Sequence, residues 1–222
     1  MQFMMDIKEK TSLLHATTER TGYIKKIMDG VASVEGYAEY LYNLEKMYAA
    51  IENALDQNEQ NEVVKPFLTK ELYRSKLIIQ DLESLLGEKL TAMKPLASTE
   101  ASVARIEFLA KTQPHLVVAH AYTRFLADLF GGRMFFSLLS STYKIKEEAL
   151  NYYQFPDITD LKEYVMKYHT LLVNMKLSED QQVEFINEIN NAYIYNLAIS
   201  NELDVKLSGS DLGHLHHNKS HH

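Results

Sequence analysis

The sequence predicts an all-α protein folded as a single domain. Apolar residues recur at helical spacing along most of the chain, and no segment has the pattern of a convincing strand. All four prolines lie at junctions between periodic segments rather than inside them. A chain of 222 residues can bury one substantial core, and the domain is expected to span residues 1–207 as packed layers of helices.

The helices follow in order from their caps and stops. In the first half they are predicted over residues 5–29 with a stop at Gly30, over residues 33–56, from Pro66 to Gly87, and from a cap at Ser98 or Thr99 to about Lys111. In the second half a long helix starts at Pro114, a connection with a short helix leads to Pro156, and a helix capped by Asp157 or Thr159 reaches about Met175. The last helix opens with a capping box at residues 178–181 and continues to about Leu207.

Residues 208–222 differ from the rest in composition. This segment, SGSDLGHLHHNKSHH, holds five of the nine histidines and has no apolar face. It is expected to be a disordered His-rich tail, either native or left from an expression tag, and the alternative is a segment that binds a transition metal.

Composition excludes several classes of protein. The formal net charge of −7, without a long basic run to offset it, argues against nucleic-acid binding. The absence of cysteine excludes disulfides, thiolate ligands and cysteine nucleophiles. No secretory leader and no apolar run of membrane-spanning length are present, so a cytoplasmic protein away from the membrane is expected.

One stretch of the long helix carries an unusual pair of adjacent glycines. Residues 120–136 read HAYTRFLADLFGGRMFF, and Gly131 and Gly132 together should cost about 2 kcal/mol of helix stability relative to alanines. They share a stripe with Ala127 and Asp128, so one side of the helix is nearly bare backbone beside a single carboxylate. This pattern favours a broad flat ligand lying on the helix, with close helix–helix packing as the alternative.

The first helix carries the most informative histidine. Lys8, Ser12, His15 and Glu19 share one face of it, and Glu19 lies one turn after His15. A carboxylate on one imidazole nitrogen orients the other nitrogen, as is common for metal-bound histidine. His115, His120 and His169 are expected to be structural.

Several segments resemble the haem oxygenase family. QPHLVVAHAYTRFLADLFGG is similar to the family's distal-helix signature, which is close to LLVAHAYTRYLGDLSGG, and about a dozen positions agree in order. LLHATTERTGYIKKIMDGVASVEGYAEYLYNLEKMYAAIE resembles the proximal region, and FLTKELYRSKLIIQDL and the Phe-Pro pair before the penultimate helix also match. The resemblance covers residues 5–207 and points to the biliverdin-producing, bacterial type.

The resemblance implies a fold and a reaction. Haem b, both substrate and cofactor, would lie between a proximal helix and a distal helix kinked at its glycine pair. O2 and external electrons would open the ring at a meso carbon, giving biliverdin, CO and ferrous iron.

The resemblance also implies roles for particular residues. His15 would bind the iron, and Asp128 would hold a water network that delivers a proton to the bound oxygen. Arg124 and Tyr48 match polar residues of the same distal network. The residues expected to surround the cofactor are Lys8, Glu19, Tyr122, Ala127, Gly131 and Gly132.

The sequence departs from the family pattern at two places. Ala127 replaces the glycine usual before the distal aspartate, where its methyl group could crowd the oxygen, and Phe130 replaces a small polar residue. On the penultimate helix Val165 and His169 occupy the positions of the basic residues that hold the propionates. Lys162 and Lys167 are out of register with those positions, so the regiospecificity is left open.

Three other functions are consistent with the sequence. A haem carrier or sensor would bind haem through His15 without degrading it, a peroxidase-like enzyme would divert the activated oxygen, and a helical bundle without haem would use its glycines only for packing. Because the chain lacks a dinucleotide fingerprint and cysteines, electrons are expected from a separate reductase, ferredoxin or flavodoxin-type donor. A monomer is favoured.

Overall fold

The computed structural model describes the backbone of residues 2–219 and the side chains of residues 2–208. Over this range the chain is all-α, as predicted, and forms no strand. Its helices are α1 (Gln2–Arg20), α2 (Gly22–Met28), α3 (Val34–Gln57), α4 (Ser75–Leu86), α5 (Ala97–Thr112), α6 (Val117–Ser141), α7 (Leu161–Val173) and α8 (Glu179–Lys219). None of the helices in the described range is long and apolar enough to cross a membrane.

The core is organised around α3 and α8. Helix α3 packs against α4 and α5, while α8 packs against α1, α2, α5 and α6. Most side chains of α3 are buried, including Leu41, Tyr48 and Leu55, which are fully inaccessible to solvent. Helices α1 and α6 therefore both pack against α8, and a space remains between them.

The first predicted helix is divided into α1 and α2. Gly22 has a φ of 69°, a left-handed conformation that ends α1 and that side chains rarely adopt. Ser200 of α8 accepts a hydrogen bond from the backbone N–H of Ile24 at 3.1 Å and donates to the carbonyl of Thr21 at 3.3 Å. The prediction of one continuous helix over residues 5–29 was therefore wrong, because α8 supplies the partners for an interruption.

The predicted start of the third helix at Pro66 was also wrong. Residues Lys65–Phe67 and Lys70–Leu72 form two short 3₁₀ turns, and α4 begins only at Ser75. The side chain of Glu52 on α3 accepts the backbone N–H groups of Arg74 and Ser75 at distances from 2.9 to 3.3 Å. A carboxylate from another helix thus fixes the helix start at a position that local sequence does not specify.

The caps were predicted in part. At the start of α8, Ser178 accepts the Gln181 N–H and the Gln181 side chain accepts the Ser178 N–H, which confirms the capping box. Helix α7 is capped by Asp160 rather than by Asp157 or Thr159. At α5 the capping position is Leu96, while Ser98 and Thr99 lie inside the helix.

Helix α8 extends to Lys219, beyond the end predicted near Leu207. The side chains of residues 209–222 lie outside the described part of the structure. The expectation that residues 208–222 form a separate His-rich tail, and the alternative that this segment binds a metal, therefore stay predictions.

Candidate functional site

A cavity of about 680 Å³ lies between α1, α3, α6 and α8. Nine of the ten site residues predicted from the sequence line it, namely Lys8, His15, Glu19, Tyr122, Arg124, Ala127, Asp128, Gly131 and Gly132. The tenth, Tyr48, is fully buried and contacts Asp128 from behind. The fold therefore brings together residues from two regions of sequence that lie more than a hundred positions apart.

The α6 wall is formed largely by backbone and small side chains. Helix α6 remains helical through Gly131 and Gly132, and the methyl group of Ala127 is exposed on the same cavity. A Cβ built at Gly131 would meet only Phe135 of the same helix, at 3.5 Å, whereas one at Gly132 would lie 3.3 Å from the carbonyl oxygen of Tyr153. Close packing therefore accounts for Gly132 and leaves Gly131 unexplained by protein contacts.

His15 and Glu19 form a pair on the α1 wall. The Nε2 of His15 lies 3.1 Å from Oε1 of Glu19, and the two side chains are about half exposed, at 50% and 59%. The imidazole also lies against Tyr193 of α8, with ring centroids 5.4 Å apart. One ring nitrogen is thus engaged by a carboxylate, which leaves the other nitrogen for a metal bound in the cavity.

Asp128 is buried at the α6 wall between two tyrosines. Tyr48 donates a hydrogen bond to Oδ2 of Asp128 at 2.5 Å, and Tyr152 donates to Oδ1 at 2.6 Å. The two phenol oxygens are themselves 2.6 Å apart. Burial raises the pKa of Asp128 above its ordinary value, against the opposing effect of Arg124 and of the two phenols.

Arg124 supports this cluster without a direct hydrogen bond to the carboxyl group. Its Nε donates to the phenol oxygen of Tyr48 at 3.2 Å, and Nη2 donates to that of Tyr152 at 3.1 Å. Its closest approach to Asp128 is 3.9 Å. The expected distal cluster is therefore present, with Tyr152 as an additional member.

Lys8 and His169 are basic side chains of the cavity wall that could anchor the carboxylates of a ligand. Lys8 and His169 both line the cavity, and burial together with the charge of Lys8 lowers the pKa of His169. Val165 is buried, whereas Lys162 and Lys167 are exposed and do not line the cavity. Neither of the two positions on α7 that were expected to carry an anchoring cation does so, and Lys8 is the residue of this group with a permanent charge.

Five tyrosines that were not predicted from the sequence complete the cavity wall. Tyr37, Tyr40, Tyr152, Tyr153 and Tyr193 all line it. Tyr152 and Tyr153 come from the connection after α6, in a 3₁₀ turn of residues Asn151–Tyr153. Their only sequence signal is a pair of adjacent tyrosines shortly before the Phe-Pro pair.

The protein has a ligand-sized cavity with a histidine–carboxylate pair on one wall and a buried carboxyl–phenol cluster on the other. These features are those of a protein that binds a large ligand containing a metal. A family model described as heme oxygenase matches residues 1–202 of the chain. The chain therefore belongs to the heme oxygenase family.

Relatives and solved structures agree with this assignment. Over 204 residues the chain is 30% identical to the heme oxygenase of Porphyra purpurea, covering 91% of this chain and 86% of the relative. The crystal structure of heme oxygenase-1 from the cyanobacterium Synechocystis sp. in complex with heme superposes with a TM-score of 0.89 at 26% identity, covering 99% of each chain. The heme oxygenase structure from Leptospira interrogans gives a TM-score of 0.86 at 28% identity, covering 91% of this chain and 100% of the other.

Proposed function

We propose that this protein is a haem oxygenase that opens the haem ring at a meso carbon to give biliverdin, CO and ferrous iron. The observation that carries the proposal is the convergence of His15 and Asp128, from distant parts of the chain, on one cavity. The substrates are haem b and O2, and electrons come from a separate reductase, ferredoxin or flavodoxin-type donor.

The residues present fit haem. Gly131 leaves bare backbone at the cavity wall without any protein contact that requires it. His15 has one nitrogen engaged by Glu19 and the other available. A large planar ligand with a central metal uses both features, since it needs a flat wall and an axial imidazole.

Haem, when bound, supplies the iron that activates O2 and the ring that is oxidised. His15 would bind that iron as a neutral imidazole, and Glu19 would fix its orientation and increase its basicity. Lys8 and Tyr122 would contact the carboxylate edge of the ligand. Ala127, Gly131 and Gly132 would form the wall on which the ring lies.

Asp128 is the proposed catalytic acid, because it is the buried carboxyl group on the cavity wall. Burial raises the pKa of Asp128 and so favours its protonated form, beside the space in which oxygen would be reduced. Tyr48 and Tyr152 hold its two oxygens by hydrogen bonds, and Arg124 donates to both phenols. The buried surroundings limit the access of bulk water, which favours a directed proton transfer over leakage.

The electron donor, the monomeric state and the cytoplasmic location stay predictions. No residue of the donor's docking site is identified by the cavity itself.

A single-turnover absorbance experiment tests the function. The full chain is loaded with haem and given excess reductant under air, with catalase present to remove free peroxide. Loss of the Soret band with formation of biliverdin and ferrous iron is the expected result. A stable haem spectrum would instead support a carrier or sensor, and absence of a defined Soret complex that depends on His15 would reject haem binding at this site.

A further inference from the structure

Tyr152 is held in place by two buried charges that have no other evident role in the site. Its backbone N–H donates to Oδ2 of Asp81 at 2.9 Å, and its carbonyl accepts from Nη1 of Arg74 at 3.0 Å. Asp81 and Arg74 are 0% and 2% exposed. Burying charged groups is costly unless they are hydrogen-bonded, so this clamp specifies one position for Tyr152.

The phenol of Tyr152 completes a closed ring of three oxygen–oxygen contacts. These join Tyr48 to Asp128 at 2.5 Å, Tyr152 to Asp128 at 2.6 Å, and the two phenols to each other at 2.6 Å. All three distances are within the range of O–H···O hydrogen bonds. Each contact therefore requires a hydrogen between its two oxygens.

The two phenols supply only two of the three hydrogens. If Asp128 were a carboxylate and both phenols donated to it, the two phenol oxygens would face each other at 2.6 Å with no hydrogen between them. If Asp128 were a carboxylate and one phenol donated to the other phenol, then one of the two contacts between a phenol and the carboxylate would have no hydrogen. A third hydrogen on the carboxyl group satisfies all three contacts.

The surrounding donors agree with this count. In the protonated ring each phenol oxygen donates once and accepts once within the ring, and its second lone pair accepts from Arg124 at 3.2 or 3.1 Å. Arg124 stays 3.9 Å from Asp128, so no cation is hydrogen-bonded to the carboxyl group. The other ionisable groups that act on Asp128 are Arg74, the two phenols of the ring, and the phenols of Tyr40 and Tyr153, and all of them are buried or partly buried.

We propose that Tyr152 is a positioning residue that completes a three-membered hydrogen-bond ring with Tyr48, in which Asp128 is a neutral carboxylic acid. In one direction of the ring, Oδ1 of Asp128 donates to Tyr152, Tyr152 donates to Tyr48, and Tyr48 donates to Oδ2. The protonation state is a property of the protein alone. Its use as a proton source rests on the proposed function.

When Asp128 gives its proton to an acceptor in the cavity, the ring can respond without moving heavy atoms. The two phenols then both donate to the new carboxylate, and Arg124 faces the two phenol oxygens. Once the acceptor has left the cavity, solvent enters and returns a proton to the carboxylate, which restores the third hydrogen. Burial thus favours the acid before the transfer, and Tyr152 stabilises the anion after it by donating a hydrogen bond.

Infrared spectroscopy of the haem-free protein tests the ring directly. A protonated carboxyl group has a C=O stretch that is separate from carboxylate bands and shifts in D2O. Glu52 must be separated from Asp128, because burial raises the pKa of Glu52 to about 7. Labelling aspartate carboxyl carbons with ¹³C shifts the aspartate bands and leaves the glutamate bands in place. Asp81 must also be separated from Asp128 by substitution, because burial raises its pKa too.

The variants are Tyr152→Phe and the control Tyr168→Phe. Tyr168 is another fully buried tyrosine, and its hydroxyl has no hydrogen-bond partner among the described residues. We expect an aspartic acid band at pH 7 in the wild type and at the same frequency in Tyr168→Phe. In Tyr152→Phe the band should move to another frequency, because the acid O–H loses the phenol oxygen that accepts its hydrogen bond. Asp128→Asn should abolish the same band. If that variant does not fold, the shift in Tyr152→Phe gives the assignment, because the Tyr152 phenol contacts Asp128 whereas Asp81 contacts the Tyr152 backbone.

Two results would overturn the proposal. One is the absence of a protonated aspartic acid band at pH 7 in the wild type, and the other is a band that Tyr152→Phe leaves unchanged. Because no haem is present in this experiment, either result is independent of the single-turnover test. A protein with the ring but without haem cleavage would keep this inference and lose the proposed function.

Discussion

The carbonyl oxygen of Tyr153 lies 3.3 Å from the position that a Cβ atom would occupy at Gly132. The chain segment bearing this carbonyl cannot easily withdraw, because Arg74 holds the neighbouring carbonyls of Tyr152 and Gln154. Gly132 is thus required by the packing of α6 against the connection that follows it. Gly131, one residue earlier, has no such neighbour.

The two glycines should therefore respond differently to substitution. Gly131→Ala should raise the free energy of unfolding of the haem-free protein by up to about 1 kcal/mol, since alanine favours the helix. Gly132→Ala should gain nothing or lose stability, because its methyl group meets the Tyr153 carbonyl. Urea unfolding of both variants checks this, and equal stabilisation of the two would contradict the assignment.

The same pair separates packing from ligand binding. Haem affinity should fall in Gly131→Ala although the protein is not destabilised, because the new methyl group enters the cavity wall. Absorbance titration with haem provides the measurement. Unchanged affinity would mean that the haem does not lie against Gly131.

Removal of the His15 side chain should abolish axial ligation. His15→Ala is expected to lose the Soret spectrum of the wild-type complex, and Glu19→Gln to weaken haem binding by roughly tenfold. Both side chains are about half exposed, so the free energy of unfolding without haem should change by less than about 1 kcal/mol. Haem titrations and urea unfolding measure the two effects, and a wild-type spectrum in His15→Ala would assign the ligand to another residue.

Replacement of Ala127 by glycine tests whether its methyl group crowds the oxygen. Ala127→Gly should raise the single-turnover rate of ring opening severalfold, although the helix loses about 1 kcal/mol of stability. The rate of biliverdin formation is the measurement. An unchanged rate would show that the methyl group is accommodated.

Lys8 and His169 should contribute differently to anchoring the ligand. The pKa of His169 is lowered by burial and by Lys8, so it is neutral at pH 7 and only Lys8 offers a charge. Lys8→Met should weaken haem binding by up to about fivefold, and His169→Arg should strengthen it by a similar factor. Lys162→Met is the matched control, since Lys162 is exposed and does not line the cavity.

His169→Arg has a second readout in the products. A new cation on α7 should change the proportions of biliverdin isomers, because it pulls on one carboxylate of the ligand. Chromatography of the products gives the measurement. Identical isomers and identical affinity in His169→Arg would place the carboxylates elsewhere.

A buried network on α8 should govern stability in acid. Glu188 contacts His120 at 2.7 Å and Arg105 at 2.6 Å. Burial alone would raise the pKa of Glu188, but the hydrogen bonds from His120 and Arg105 outweigh it and lower the pKa to about 2. The stabilisation is therefore fully present above the ordinary pKa of 4.5 and is lost as the pH falls from 4.5 towards 2.

The corresponding variant is Glu188→Gln. It should lower the free energy of unfolding at pH 7 by about 2 kcal/mol and flatten its decline in acid. Glu184→Gln, one turn earlier and exposed, should retain the wild-type pH dependence. Chemical unfolding at several pH values measures the free energy of unfolding. If this free energy changed with pH in the same way in the wild type, Glu188→Gln and Glu184→Gln, the role of Glu188 would be contradicted.

The sequence was most informative where local pattern and chemistry coincide. The helix content, the capping box at Ser178 and the pairing of His15 with Glu19 follow from spacing within one helix, and all are observed. The start of α4 and the position of Tyr152 could not be read in this way. Both are set by charged side chains on other segments, Glu52 in the first case and Asp81 in the second.

The break between α1 and α2 is an intermediate case. The predicted helix ran across Gly22, because the apolar pattern continues on both sides of it. Its left-handed conformation is fixed by contact with Ser200, which lies far along the chain. A glycine inside an apolar helical pattern therefore predicts a helix break only when the distant residue that contacts it is known.

The packing of α8 has a consequence for the order of assembly during synthesis. Tyr193, Asn196 and Ser200 of α8 form part of the cavity wall, and Thr18 and Ile24 hydrogen-bond to α8. Until these residues leave the ribosome, the first helix has no support on that side and His15 lacks its aromatic neighbour. On the proposed function, haem that meets a nascent chain would find an incomplete site, so stable loading would require α8 to be in place.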